Sequence, residues 1–490
     1  MAASSRHSKK GAREAEPGTP PAPATPEHAH AVHASSIDFT ANKTATVLKL
    51  AIPTVFAMLL QSSVNLVDDV FFRHLPNQLE ASNAQAALQP SLIIVWLFGG
   101  SLGAISVGTQ AITARRFAEG KRLAAGAVLA NTVWFTLIGG LLTSLAAVFL
   151  IPIILRRLID AEDVRAIAIS YSHWRLFAFV SMSMTQALKG FFDGIGKTTF
   201  HFVASLIMNA LNIVLCWVFI FGHLGMPAMG PTGAGMSAFL ATWIGLAVMF
   251  VYAFLYRHDF EPARWSNVSR SLTWDMVKLS APAALATIVM MFGFALFTKI
   301  VNVLDKGAAE AVNGAATTNI IQIMMLTFTA CIAFGTSTAT LVSQSLGRQK
   351  PDEASRYGWA SVRVGLIVFG AIGLLEGGVF RHQVIDLIAA TPGVHQAMNR
   401  PMMLVGVVTP LISVALILSE ALFGAGSTKF VAAAQLVLVF GILVPGAWLL
   451  GLKLNAGLDG IWYTACLYAV LAASTMALKF RAGGWKTIRI

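Results

Sequence analysis

Asp68 is an acid set in a long apolar run, and it has polar company at helical spacing. Gln61, Asn65 and Asp68 fall at i, i+4 and i+7, so a helix through them carries one polar stripe. Further along, Asn209 and Asn212 lie at i and i+3 with Cys216 one turn on, while Lys299, Glu376 and Glu420 are other ionisable groups inside apolar stretches. Within a hydrocarbon layer an acid costs about 2.5–3.5 kcal/mol to place, and it marks a functional position by default. A carboxyl that gains a proton on one side of a membrane and loses it on the other performs ion coupling. Asp69 points about 100° away on the same helix and reads as a boundary residue. The chain has no catalytic constellation, no clustered metal ligands and no Gly-rich phosphate loop ending in Lys-Ser/Thr, so neither an enzyme nor an ATP-driven pump is expected, nor any cofactor.

The elements that position these residues follow from composition. The chain has 490 residues, 56% hydrophobic and 12% charged, where soluble proteins carry roughly 25% charged. Apolar runs recur near residues 46–72, 86–111, 125–152, 166–188, 199–222, 233–256, 277–303, 316–342, 358–380, 400–423, 430–451 and 457–479. Each suffices to cross a hydrocarbon layer of about 30 Å. None shows the dyad alternation of a barrel strand, so twelve transmembrane helices are expected. Pro53 and Pro282 lie within the first and seventh runs and are candidate hinges. Most Lys and Arg outside the runs fall on one side if both termini are cytoplasmic. The net charge of +12 then reflects loops meeting anionic lipid, with no nucleic-acid partner. Cys216, Cys331 and Cys466 have no paired spacing, so no disulfide framework is expected. Residues 1–43 lack large apolar side chains over most of their length and read as a disordered cytoplasmic tail. His28, His30 and His33 sit close together there, and a solvated tail accounts for them.

An internal repeat organises the rest. Leu48-Lys-Leu-Ala-Ile-Pro53 matches Val277-Lys-Leu-Ser-Ala-Pro282, the basic connection 114–121 matches 343–350, and Gly194-Ile-Gly-Lys-Thr-Thr-Phe200 matches Gly424-Ala-Gly-Ser-Thr-Lys-Phe430, all shifted by about 229 residues. The expected architecture is two pseudo-symmetric six-helix lobes, 44–256 and 277–480, with a cytoplasmic linker at 257–276 and a short tail at 481–490. Transporters built from repeats of one orientation place substrate between the halves and alternate access by rocking, although channels and some membrane enzymes are duplicated too.

The residues also resemble the multidrug and toxic compound extrusion (MATE) family. The resemblance lies in Leu50-Ala-Ile-Pro-Thr through Asp68, in Lys189-Gly-Phe-Phe-Asp-Gly-Ile-Gly-Lys-Thr198, in Asn212-Ile-Val-Leu, in Gly230-Pro-Thr-Gly-Ala234 and in Leu422-Phe-Gly-Ala-Gly-Ser-Thr428, and it runs from about residue 44 to 480. It implies a drug/cation antiporter with two lobes forming a V around a central cavity, driven by inward H⁺ or Na⁺. Its substrates would be small organic compounds, cationic or amphipathic, its partners membrane lipids, its state monomeric and its place a bacterial inner membrane.

The residues and the resemblance together suggest an ion-coupling group of Asp68, Asn65, Asn212 and Cys216, with Glu420 as a candidate that the second lobe itself offers, and a substrate cavity touching Gln61, Asn209, Met290 and Lys299. The chain departs from the pattern in both lobes. Cys216 stands where Na⁺-binding members have an acid, and Ala238 where they have a Thr. A thiol substitutes poorly for a hard oxygen, which favours H⁺. In the second lobe, Met290 and Ile412 stand where some members carry acids. The competing reading is a flippase for lipid-linked sugars from the same superfamily, which would use basic cavity residues such as Lys299 and Arg175.

Overall fold

The computed structural model describes residues 37–39, 41–95, 101–159, 161–256, 260, 268–307, 310–389 and 391–490. Twelve helical units, numbered along the chain, cross the molecule. In the first half they are α1 (Lys43–Arg73), α2 (Gln78–Val95 and Ile105–Ala118, with a helical turn at Ser101–Gly103), α3 (Arg122–Leu158), α4 (Glu162–Gly194), α5 (Thr198–Phe221) and α6 (Gly230–Leu255). In the second half they are α7 (Arg270–Leu304), α8 (Val312–Gly347), α9 (Pro351–Leu374), α10 (Pro392–Gly424), α11 (Thr428–Leu438, extended to Lys453 through two π turns) and α12 (Gly457–Ala482). Among the described residues there is no strand. Ten of these units are apolar enough to span a bilayer unaided. The other two are α2, described in pieces, and α4, which carries Arg175, Lys189 and Asp193. The protein is an all-α polytopic membrane protein of two six-helix lobes.

The helices overrun the apolar windows at most ends, because helical hydrogen bonding continues where the hydrocarbon stops. The clearest correction is at α7, which starts at Arg270, so residues 270–276 of the expected linker are helical. Asn131 of α3 fixes that start, its Oδ1 accepting from Ser269 N at 2.8 Å and Thr273 Oγ1 at 3.0 Å. Of the remaining linker, only Phe260, Val268 and Ser269 are described.

The first expected tail is also shorter than its composition suggested, and the last one packs back on the protein. Residues 1–36, including His28, His30 and His33, lie outside the described residues. Ile37 is buried, and Phe39 stands edge-on to Tyr357 at 5.8 Å under the Arg348 guanidinium. At the other end Trp485 is fully buried, stacked on Phe480 at 4.6 Å.

The two glycine motifs fold alike. Gly196 and Gly426 take φ of 80° and 86°, and Lys197 N and Ser427 N each donate back to a carbonyl five residues earlier at 2.8 Å. Both turns end a helix, α4 and α10, with the left-handed cap that favours glycine.

Inter-lobe hydrogen bonds gather on the half of the molecule where α1 begins and α12 ends, the terminal face. Arg115 of α2 donates to Ala425 O at 2.9 Å and Ile488 O at 2.5 Å. Its repeat counterpart on α8, Gln344, donates to Gly194 O at 2.6 Å. Between them Gln110 reaches Thr340 Oγ1 at 2.8 Å, Thr340 reaches Asp193 O at 2.9 Å and Ser343 reaches Ala111 O at 2.8 Å. Nearer the middle, Ser337 of α8 donates to Leu50 O at 3.1 Å, one turn before Pro53. Towards the opposite face each lobe packs around its own core: Phe72, Leu88, Tyr171 and Ile220 in one, Phe297, Ile320, Met398 and Trp462 in the other. The lobes are fastened at one end.

Candidate functional site

The best-formed polar site lies in the first lobe, away from the fastened face. Asp68 is fully buried near the end of α1. Tyr171 Oη of α4 donates to its Oδ2 at 2.7 Å, and the Cys216 thiol of α5 approaches its Oδ1 at 3.8 Å. Arg175, one turn beyond Tyr171, holds its guanidinium 5.4 Å from the Tyr171 ring centroid, and its charge acts on the Asp68 carboxylate. Arg175 is itself 6% exposed, so acid and base share one low-dielectric space, where their attraction is far stronger than in water.

Asn212, one turn before Cys216, is fully buried with neither amide atom hydrogen-bonded. The Ser172 hydroxyl, next to Tyr171, is likewise without a partner. These two buried groups therefore retain unused hydrogen-bonding capacity, an uncommon condition for buried polar groups. Asn209 belongs to a neighbouring pair, its Oδ1 accepting from Ser63 Oγ at 3.0 Å. Gln61 is half-buried, and the Asn65 side chain lies outside the described residues. Asp69 pairs with Arg73 at 2.6 Å, as a boundary residue should.

Tyr171 and Arg175 were not singled out from sequence as coupling residues. The available signal was an arginine inside an apolar run with a tyrosine one turn before it, since a buried guanidinium needs an acid nearby.

Glu420 does not join this group. It sits near the terminal end of α10, its side chain over Gly335 of α8, within electrostatic reach of Lys189. Lys189 pairs with Asp193 at 2.9 Å, both buried, and His201 lies in the same field. Glu376 stands at a π turn ending α9 and accepts from Thr327 Oγ1 at 3.4 Å. Lys299 is exposed, outside the walls of the second lobe's interior. Pro53 and Pro282 sit inside unbroken α1 and α7.

The second lobe's interior is of a different kind. Met290 and Ile412 line a cavity of about 60 Å³ whose walls carry no charged side chain. Among the described residues no group of three or more His, Cys, Asp or Glu could hold a metal ion.

A duplicated helical membrane protein of two lobes fastened at one face has the build of transporters that alternate access between two repeats. The MatE family model matches residues 53–218 and again 282–449, starts that differ by the repeat offset. The chain belongs to the MatE family; it is a membrane transporter and not an enzyme. It is 23% identical over 454 residues to a probable multidrug resistance protein NorM of Thermotoga maritima, covering 90% of this chain and 92% of that one. To the multidrug resistance protein MdtK of Edwardsiella ictaluri it is 24% identical over 454 residues, covering 89% and 94%. Among solved structures, a multidrug resistance MATE family transporter in an outward-facing conformation matches with a TM-score of 0.82 at 18% identity, covering 91% of this chain and 98% of that one. A transporter from Pyrococcus furiosus, described as having a binding pocket of reversed polarity, matches equally well at 18% identity, covering 91% and 96%.

Proposed function

We propose that this protein exports small organic compounds in exchange for protons, by rocking its two lobes about the contacts near Pro53 and the terminal face. The relatives named as multidrug resistance proteins support the substrate class, and the concentration of Lys and Arg supports a cytoplasmic terminal face. The fastened conformation is then the one open to the outside, and the cell membrane of a bacterium is its place.

The observation that carries proton coupling is the set of groups facing Asp68. A sodium ion requires several hard oxygens; the side chains that bond Asp68 are a phenol and a thiol, and the Arg175 charge acts on its carboxylate. Arg175 already supplies the positive charge that a bound cation would bring, and a second cation beside it would be repelled. A proton needs no such shell. The lipid-linked sugar reading draws less support, because Arg175 stands over the Tyr171 ring and its charge acts on Asp68.

The test is efflux by purified protein in proteoliposomes under a pH gradient alone and a Na⁺ gradient alone. Wild type should respond to the pH gradient, and Asp68→Asn should lose gradient-driven export while retaining its fold. Cys216→Asp with Ala238→Thr restores two oxygen-bearing side chains and should raise Na⁺ dependence. Full activity of Asp68→Asn under either gradient would move coupling to the Glu420–Lys189 group.

A further inference from the structure

We propose that the recess between the start of α1 and α9 is a site for the phosphate of an anionic phospholipid headgroup. Asn42, Lys43 and Thr44 form one wall, and Arg356, Ala360 and Arg363 form the other. The recess measures about 420 Å³, within the range of about 300–1,000 Å³ common to small-molecule sites. Among the described residues its walls carry three cations and no acid. Arg356, Ala360 and Arg363 fall at i, i+4 and i+7, so both arginines leave α9 on one face, about 10 Å apart along the axis. Lys43 leans towards them from α1, its Nζ 5.5 Å from the Tyr357 ring centroid. The acids nearby have other partners. Asp352, within electrostatic reach of Arg356, pairs with Lys486 at 2.8 Å, and Glu353 faces Arg348 at 3.8 Å. Asp38 acts on Tyr357 but is not part of the walls.

The other repeat closes the same junction with protein. A shift of 229 residues carries Arg356, Ala360 and Arg363 onto Ala127, Asn131 and Trp134 of α3. There Asn131 Oδ1 accepts from Ser269 N and Thr273 Oγ1, tying α3 to the start of α7. At the start of α1 an alanine stands in the place of Asn131, and two arginines flank the opening. Three like charges converging without an acid repel one another, and an anion among them offsets that repulsion. What surrounds the recess identifies the anion's source. Arg363 Nε donates to Trp359 O at 3.5 Å, one turn back along α9. One turn further on, the same face continues with Ile367, which is 74% exposed and flanked by the exposed Leu366 and Val368. On a membrane-spanning helix such side chains meet acyl chains. The cations therefore stand where the lipid-facing surface of α9 ends, the level at which phospholipids carry their phosphate. Arginine binds phosphate through charge-assisted, often bidentate hydrogen bonds. A phospholipid covers the charged recess and the apolar face together, which a free phosphate does not.

The full-length protein in detergent would be titrated with phosphatidylglycerol and, separately, with phosphatidylcholine, which carries the same phosphate but no net charge. Native mass spectrometry counts the lipid bound. Phosphatidylglycerol should fill a saturable first site that phosphatidylcholine does not. Arg356→Gln with Arg363→Gln should weaken that site about thirtyfold, at about a factor of five for each cation removed. Arg270→Gln with Lys278→Gln makes the same change of charge at the start of α7 and should leave the site intact. Asp68→Asn should bind the lipid as wild type does, so loss of proton coupling and loss of this site are separable. Should the Arg356 and Arg363 variant not fold, the wild type still decides. In nanodiscs, hydrogen exchange at the amides of residues 41–45 should be slower in phosphatidylglycerol than in phosphatidylcholine, while exchange at residues 269–273 stays the same. Equal binding of the two lipids, equal losses in the two double variants, or unaltered exchange at residues 41–45 would each overturn the proposal. Displacement of the lipid by inorganic phosphate, but not by chloride at equal ionic strength, would do so too, by assigning the recess to a soluble phosphate.

Discussion

The two lobes descend from one repeat and have kept its outside while exchanging its inside. Shifted by 229 residues, Arg115 falls on Gln344, and both reach across to a carbonyl beside the other lobe's glycine turn. The same shift carries Gln61 onto Met290 and Asp68 onto Phe297. Where the first lobe buries an acid against Tyr171 and near Arg175, the second buries a ring against Trp462. Closure needs both lobes to make matching contacts, so those positions answer to each other. The two interiors pack around separate cores, and each is free to take its own chemistry: a buried acid in one, apolar rings in the other.

The most disruptive way to break this division is to carry the acid across. Phe297→Asp would place a carboxylate where no basic side chain lines the cavity, and burying an unpaired charge costs several kcal/mol or forces local unfolding. The expected outcome is loss of monodisperse protein in detergent and a large fall in thermal unfolding temperature, with Phe297→Leu retaining both. A stable Phe297→Asp variant would mean that the second lobe is more polar than its walls show.

A smaller change tests the first lobe. Tyr171→Phe removes a hydrogen bond to a charged acceptor, worth about 1.5–3 kcal/mol. Proton-driven efflux should fall about tenfold or more. Because Tyr171 acts through Asp68, Tyr171→Phe combined with Asp68→Asn should be no worse than Asp68→Asn alone, the non-additivity expected of groups in one network. Additive losses in proteoliposome efflux would show that Tyr171 serves another step.

The sequence made the outer plan readable and the inner plan only partly so. Hydrophobic runs, the repeat and the glycine turns are local or periodic signals, and Asp68 with Cys216 could be placed by spacing along single helices. Tyr171 and Arg175 reach Asp68 from a different helix, and Trp462 reaches Phe297 across a lobe, which no local period encodes. The start of the chain misled for a related reason: Phe39 is a single aromatic in polar surroundings, and one ring can anchor a segment whose average composition looks disordered.

The shared fastening can be tested separately from the interiors. Arg115→Ala removes two charge-assisted hydrogen bonds on the terminal face, while Gln344→Ala removes a neutral one. Bonds involving a charged donor are roughly twice as strong. Spin labels across that face, read by pulsed electron resonance, should therefore show a wider separation in Arg115→Ala than in Gln344→Ala, with efflux altered several-fold at most. Equal shifts would mean that the contacts act only as a packed surface.

The smallest effect is expected at the beginning of the chain, and it sharpens the comparison by asking whether the lobes are tied anywhere else. Residues 2–36 contain almost no large apolar side chains, so they have little area to bury against either lobe. Ile37 and Phe39 differ: they pack on the second lobe beside Tyr357 and Arg348, ahead of α1, which belongs to the first. Deleting residues 2–36 should leave membrane abundance and efflux rate unchanged. Extending the deletion through Asn42 removes that anchor and the cap that Asn42 places on Thr44 N at 3.0 Å; caps are worth about 0.5–2 kcal/mol. The longer deletion should lower the unfolding temperature by a few degrees with export retained. If the shorter deletion alone reduced efflux at equal abundance, the chain's first residues would be acting on a partner or on the membrane surface, and the lobes could no longer be treated as the whole machine.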